Sequence, residues 1–144
     1  MNIFKSEADR QSLLEELQTD MNEEFRATLQ YICHRILAKG NNSVLSESFK
    51  SAALDEMSHI LFFSDLITKY GGTIQFDNWD TDQSQVIEEM IKKDLELEQA
   101  ARERYSSQIE QFRDHPEVQT LLKSVLADEE DHEVEFTRYL KEIA

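Results

Sequence analysis

The sequence predicts an all-α protein, a four-helix bundle with one long crossover connection, on three observations. Its 144 residues include only three Gly and one Pro, while residues that favour helices, such as Leu, Glu and Ala, are plentiful. Apolar residues recur at alternating steps of three and four along four segments, which places each set on one helix face. Turn-forming residues separate the segments. The length suits a single domain over residues 1–144.

The first two segments make up the first half of the predicted bundle. The stripe of the first segment starts near residue 14 and contains Leu17, Met21, Glu24, Thr28 and Tyr31. It closes at Gly40-Asn41-Asn42, because glycine and asparagine commonly follow the C-terminus of a helix. The second stripe covers residues 49–70 and closes at Gly71-Gly72.

The connection that follows, over residues 71–81, is predicted to be irregular and contains Phe76 and Trp79. Fully extended, such a segment reaches roughly 36 to 40 Å, which is about the length of one predicted helix. It can therefore return along the bundle, so that helices two and three run the same way and the aromatic side chains lie against the bundle. The third stripe covers residues 87–112, and the fourth covers 118–143 after Pro116, which the first turn of a helix tolerates.

An internal repeat relates the two halves of the chain. Six matched pairs lie 73 or 74 positions apart: Glu24 and Glu98, Tyr31 and Tyr105, Asp55 and Asp128, Glu56 and Glu129, His59 and His132, and Phe63 and Phe136. We interpret the bundle as one helical hairpin used twice.

The composition excludes several classes of function. Asp and Glu number 30 against 15 Lys and Arg, and the formal charge of -15 repels nucleic-acid phosphates and anionic lipids, so we expect neither as a partner. No apolar run approaches the ~20 residues that cross a bilayer. The single cysteine, Cys33, excludes an intramolecular disulfide, and residues 1–10 lack the apolar core of a signal peptide. We expect a cytoplasmic protein.

Four glutamates fall on the inward stripes, one in each helix: Glu24, Glu56, Glu98 and Glu129. An unpaired carboxylate is costly in a protein interior, so four of them need compensation. Two divalent cations would neutralise them, and His59 and His132 would complete two Glu-x-x-His pairs. One Glu from each of two helices and a Glu-x-x-His from each of the others is the ligand set of di-iron and di-manganese bundles. We predict these six residues to be both metal ligands and catalytic.

The spacing around the ligands, repeated in the two halves of the chain, suggests supporting residues. Asp55 and Asp128 lie one turn before the histidines and either accept the second imidazole N–H or lie on a solvated face. Tyr31 and Tyr105 lie two turns after the lone glutamates and are either hydrogen-bonded to a ligand carboxylate or simple core residues. We include Tyr31 among the predicted catalytic residues.

Four other polar residues have weaker assignments. Asp20 and Asp94, one turn before the lone glutamates, could extend the network, although a solvated charge is the better interpretation of Asp20. His34 and His115 belong to none of the six matched pairs, and we expect both at the surface.

Short stretches of each helix carry a more specific pattern: EFRATLQYICHR at 24–35, DEMSH at 55–59, DLELE at 94–98 and DEEDH at 128–132. These stretches resemble the four helices of bacterioferritins, within the ferritin-like di-iron carboxylate superfamily, and the resemblance runs from about residue 14 to 140. It implies two iron ions per subunit, with manganese an alternative. It also implies a homo-oligomeric ferroxidase that oxidises Fe(II) with dioxygen or hydrogen peroxide for iron storage or detoxification.

Two further features follow from this resemblance. Met57 matches the position whose sulfur binds haem between two bacterioferritin subunits, so a haem site at a dimer interface is implied; an apolar interface Met without haem is the alternative. Only twelve residues follow His132, so the short fifth C-terminal helix of bacterioferritins is expected to be missing.

Other functions are compatible with the same bundle. A rubrerythrin-like peroxidase or a manganese catalase would use a similar site, although the chain has no Cys-x-x-Cys module. A non-enzymatic helical interaction protein would use the inward carboxylates only to set the register of the helices. A DNA-binding mini-ferritin would need a basic tail, which the sequence lacks.

Overall fold

The computed structural model describes residues 3–143 and contains four α-helices in this range. They are α1 (Glu7–Ala38), α2 (Ser43–Lys69), α3 (Ile87–Gln111) and α4 (Pro116–Ile143). The described chain has no strand and no fifth helix, so the predicted all-α class is confirmed. None of these helices is long and apolar enough to span a bilayer.

Helix α1 starts earlier than its apolar stripe. The side chain of Ser6 accepts a hydrogen bond from the backbone N–H of Asp9 at 3.1 Å, which caps the helix. Glu7 and Asp9 place negative charge in the first turn, where the helix dipole favours it. Residues 7–12 are exposed or half-buried, so they add no buried position to the apolar stripe. The stripe therefore shows only part of the helix, which begins at Glu7 rather than near residue 14.

Contacts between helix ends fix their directions. Near the start of α1, Arg10 donates to the carbonyl oxygen of Tyr70, just beyond the end of α2, at 2.8 Å. Lys69 at the end of α2 contacts Glu117 at the start of α4 at 2.7 Å. Helix α2 is therefore antiparallel to both α1 and α4. Side chains of α1 and α3 also pair in an antiparallel sense. Helices α2 and α3 therefore run the same way, as predicted.

The crossover between α2 and α3 lies along α1. The ring centroid of Phe76 is 4.9 Å from that of Phe25, and the guanidinium of Arg26 lies 5.0 Å from the ring of Trp79. The prediction that both aromatic residues contact the bundle is confirmed.

The crossover is longer than predicted, because residues 82–86 are also irregular. Gln30 of α1 accepts from the backbone N–H of Asp82 at 2.8 Å and donates to its carbonyl oxygen at 3.0 Å. The Asp82 side chain in turn accepts from the N–H of Ser84 at 2.8 Å. These bonds hold this irregular segment against α1 before α3 begins.

Apolar side chains fill the bundle in two clusters, one towards each end. The first contains Leu13, Leu17, Phe63, Leu122 and Val125 among others. The second contains Leu45, Phe49, Met90, Ile91 and Phe136 among others. The predicted ligands lie between these two clusters.

Candidate metal centre

Six polar side chains lie in the middle of the bundle and are each at most 6% exposed. We call them the ligand layer: Glu24, Glu56, His59, Glu98, Glu129 and His132. Their side-chain atoms form two adjacent sets, each with its potential ligand atoms within 4.8 Å of one another. The first set is Glu24, Glu56, His59 and Glu129, and the second is Glu56, Glu98, Glu129 and His132. Two carboxylates are common to both sets, so the layer has room for two neighbouring cations that share Glu56 and Glu129.

The helices place these groups through their spacing. Glu56 and His59 lie one turn apart on α2, and a carboxylate oxygen of Glu56 is 3.8 Å from Nδ1 of His59. The equivalent distance between Glu129 and His132 on α4 is 4.0 Å. Nδ1 of each histidine therefore faces the carboxylates, and for His59 the nearest is Glu24 of α1 at 3.3 Å.

The outer nitrogen of each imidazole contacts an aspartate of the opposite helix. Nε2 of His59 on α2 lies 2.7 Å from Asp128 on α4, and Nε2 of His132 on α4 lies 2.8 Å from Asp55 on α2. Both aspartates were predicted to support a histidine, but the spacing suggested the histidine on their own helix. The bonds instead cross between helices. A carboxylate in this position fixes the ring with Nδ1 free to bind a cation.

The two repeat-related tyrosines also act across helices. The hydroxyl of Tyr31 on α1 donates to Glu98 on α3, and that of Tyr105 on α3 donates to Glu24 on α1. Both side chains are fully buried. This reciprocal pairing requires α1 and α3 to be antiparallel, and of the two interpretations of these tyrosines the structure shows the hydrogen-bonded one.

Several atoms in the ligand layer have no hydrogen-bond partner among the described residues. They are both carboxylate oxygens of Glu56, Oε2 of Glu98, Oε1 of Glu129 and Nδ1 of His132. Buried polar atoms are nearly always paired, so this concentration of free oxygen and nitrogen atoms around one point suits bound cations.

Without a cation the layer holds protons instead. Burial, and then repulsion from Glu129 and Glu24, raises the pKa of Glu56 well above its usual value. Burial and the charge of Glu98 raise the pKa of Glu129 to about 7. Burial lowers the pKa of His59 and His132, but hydrogen bonds to carboxylates outweigh it and raise these values to about 11 and 10. A bound cation would displace these protons.

One flank of the layer, beyond Glu24, contains Asp20, Arg104 and Gln108. Asp20 is fully buried, contrary to the prediction of a solvated charge, because Arg104 and Gln108 of α3 donate to it at 3.0 and 2.9 Å. Burial raises the pKa of Asp20 to about 7, against the charge of Arg104.

The other flank, beyond Glu98, contains Asp94, His34 and Gln30. His34 is fully buried and its Nδ1 lies 2.9 Å from Asp94, so its prediction as a surface residue is wrong. Burial raises the pKa of Asp94 to about 6, against the hydrogen bond from His34. His115, also predicted at the surface, is 8% exposed, because the rings of Phe4 and Phe112 pack on it.

Met57 lies outside the ligand layer. It is 47% exposed on the outer face of α2, where it lines a shallow groove with Ile32 and Leu54. The structure therefore places Met57 on an outer face of the bundle, where a second subunit could contact it.

A family model for the ferritin-like domain matches residues 14–144, so the chain belongs to the ferritin-like family. No curated protein sequence gives a significant match. Among solved structures, a ferritin-like di-iron carboxylate protein from Bacillus anthracis is 28% identical, with a TM-score of 0.86 over 94% of this chain and 99% of that one.

Two bacterioferritins share the fold at lower identity. The protein from Mycobacterium tuberculosis is 23% identical, with a TM-score of 0.82 over 90% of this chain and 84% of that one. The protein from Rhodobacter capsulatus is 19% identical, with a TM-score of 0.84 over 96% of this chain and 87% of that one. Its structure has a metal-free dinuclear site and haem iron. The predicted ferritin-like four-helix bundle is thereby confirmed.

Proposed function

We propose that this protein is a di-iron ferroxidase, in which the ligand layer binds two Fe(II) ions and dioxygen or hydrogen peroxide oxidises them. The observation that carries the proposal is the set of buried, unpartnered carboxylate and imidazole atoms arranged in two adjoining groups. The 28% identical relative described as a di-iron carboxylate protein supports iron over other metals. Oxygen and imidazole ligands also suit manganese, which the metal analysis below distinguishes.

The chain's own groups have distinct parts in this reaction. Glu56 and Glu129, which belong to both sets, would help to hold both ions, while Glu24 and Glu98 would each help to hold one. Each Fe(II) loses one electron; dioxygen takes up two electrons and two protons to give hydrogen peroxide, or peroxide takes up two of each to give two waters. Tyr31, hydrogen-bonded to Glu98, would hold that carboxylate in position as its ion changes charge.

The direct test adds Fe(II) to the oxygen-free, metal-free protein and then admits dioxygen or peroxide. We expect a rapid phase that consumes about two Fe(II) per chain, as two ligand sets require. The Glu56→Gln, Glu129→Gln double variant should lose this phase. The matched control is Glu47→Gln with Glu130→Gln, two exposed glutamates on the same helices, and it should keep the phase.

The alternative activities predict different results in the same assay. A rubrerythrin-like peroxidase would turn over with peroxide much faster than with dioxygen. A manganese catalase would contain manganese after purification and release dioxygen from peroxide without added iron. A non-enzymatic bundle would bind no metal and show no rapid phase.

Assembly and haem binding belong to the same proposal. Exposed apolar side chains on α1 and α2, among them Ile32, Ile36, Leu54 and Leu61, support a homo-oligomer. Arg35 and Lys50 also line the apolar groove at Met57. This lining suits haem, which has a flat apolar ring with carboxylate groups. Light scattering measures the assembly, and absorption spectra after addition of haem, compared with Met57→Leu, test the haem site. Storage of the ferric product and a cytoplasmic location remain predictions.

A further inference from the structure

The two flanks of the ligand layer occupy equivalent positions in the internal repeat. The matched pairs, each 74 positions apart, are Asp20 with Asp94, Gln30 with Arg104, and His34 with Gln108. We call Asp20, Arg104 and Gln108 the arginine flank, and Asp94, His34 and Gln30 the histidine flank. The ligands, the tyrosines and the aspartates bonded to the histidines are identical in the two halves. The flanks, however, differ in charge.

Hydrogen bonds determine the charge of the histidine flank. The backbone of Asp82 fixes the amide of Gln30, because its N–H can only donate to Oε1 and its carbonyl can only accept from Nε2. Nε2 of Gln30 is therefore also the donor to Nε2 of His34, 2.8 Å away. The proton of His34 must lie on Nδ1, from which it is donated to Asp94 at 2.9 Å. His34 is thus a neutral imidazole and leaves the charge of Asp94 uncancelled.

The arginine flank carries a permanent cation. The guanidinium of Arg104 stays charged in proteins, and its Nε donates to Asp20 at 3.0 Å. The same guanidinium lies 4.8 Å from the ring of Tyr105, whose hydroxyl donates to Glu24. The positive charge is therefore next to the Glu24 half of the layer, and it cancels Asp20. Counted over these six side chains, the arginine flank is one unit more positive than the histidine flank. Glu16 also accepts from Gln108, at 2.9 Å, but it is half-buried and lies two turns before Glu24. It reaches the layer only through Gln108, whereas Arg104 lies directly against Tyr105.

Other charges near the Glu98 half do not remove this difference. Arg102, one turn after Glu98, donates to Glu133 at 2.8 Å as a neutral pair, and its side chain is 43% exposed, so solvent screens it. Lys93 and Asp82 also act on Asp94, but their charges are opposite.

We propose that Arg104 sets the order in which the two cation positions fill, with the position at Glu98 and His132 binding the first ion. This inference rests on the proposed two-cation centre. At an effective dielectric constant of about 20, a unit charge about 8 Å from one dication and about 12 Å from the other weakens the binding of the nearer ion on the order of tenfold relative to the farther one. The position at Glu24 and His59 therefore fills second.

The test places one equivalent of Co(II) on the metal-free protein and measures the cobalt occupancy of each position by anomalous scattering from crystals. We expect the Glu98 position to be occupied about tenfold more than the Glu24 position. Arg104→Gln, which copies the Gln30 of the other half, should bring the ratio close to one. The matched control, Arg102→Gln on the same helix, should keep the wild-type ratio.

The outcomes separate this inference from the proposed function. Equal occupancy in the wild type, or preference for the Glu24 position, overturns the inference while two bound cobalt ions at saturation would still support the two-cation centre. An unchanged ratio in Arg104→Gln also overturns it. No bound cobalt at all overturns both. The wild-type ratio is decisive even if Arg104→Gln does not fold.

Discussion

The ligand layer and the apolar clusters above and below it occupy the same bundle interior but are stable for different reasons. Leu122 or Phe49 in a cluster is fully buried and needs only neighbouring apolar atoms. Glu56 in the layer is equally buried, yet neither of its carboxylate oxygens has a hydrogen-bond partner among the described residues. The clusters can therefore form from the chain alone, whereas the layer is complete only with protons or cations that the chain does not supply.

The largest expected effect is stabilisation by bound metal, which should depend on the ligand layer and not on the apolar clusters. Saturating metal should stabilise the wild type by about 4 kcal/mol per ion at a thousandfold excess over Kd. In Glu56→Gln with Glu129→Gln, metal should add nothing, and the metal-free variant should be at least as stable as the metal-free wild type, since two repelling carboxylates are gone. Urea unfolding with and without metal measures both quantities; a variant still stabilised by metal would refute the assignment of these ligands.

A cluster substitution should behave in the opposite way. Leu122→Ala leaves a cavity in a fully buried site and should cost about 2–5 kcal/mol. The loss should be the same with and without metal, because the residues of the first apolar cluster do not include any of the six in the ligand layer. Val134→Ala, at a position 71% exposed, is the control and should cost under about 0.5 kcal/mol. Urea unfolding measures each variant, and a metal-dependent cost for Leu122→Ala would mean that layer and cluster are coupled.

The next effect is a change in metal affinity caused by the aspartates that contact the outer nitrogen of each histidine. Asp128→Asn removes the carboxylate that faces Nε2 of His59, and it should weaken metal binding about 10- to 100-fold. Asp131→Asn, an exposed residue on the same helix, should leave Kd unchanged. Calorimetric titration with Co(II) gives both constants. Equal effects of the two substitutions would show that the contact with His59 is unimportant.

The last effect is a dependence on pH, which the layer should show and the apolar clusters should not. The pKa of Glu129 is raised to about 7, and those of His59 and His132 to about 11 and 10, so their contribution to the metal-free fold is full at low pH and lost as pH rises. Cations must displace these protons, so metal binding strengthens over the same range. The stability gap between loaded and metal-free protein should widen by about 1.4 kcal/mol per pH unit for each displaced proton. Thermal melts at pH 5.5, 6.5 and 7.5 measure the gap; a constant gap would contradict the account.

The clusters and the ligand layer could be predicted from sequence because both obey a local period. Stripes at steps of three and four locate the helices, and the 73- or 74-residue repeat matches Glu56 with Glu129. Contacts between helices have no such period. For that reason Asp55 was expected beside His59 rather than His132, and Asp20 was expected in solvent although Arg104 reaches it from α3.

The burial of His34 was also missed, although the repeat held a signal for it. His34 matches Gln108 at the same 74-residue spacing that relates Asp20 to Asp94. His34 and Asp20 could therefore have been assigned to the interface between α1 and α3. Nothing comparable identifies His115, whose burial depends on aromatic residues from two separate parts of the chain, Phe4 and Phe112.

Native mass spectrometry of the metal-free protein titrated with Co(II) tests whether the ligand layer is a two-cation site. We expect two tightly bound ions per chain in the wild type and none in Glu56→Gln with Glu129→Gln. A wild-type chain that binds no ion, or a double variant that still binds two, would contradict it.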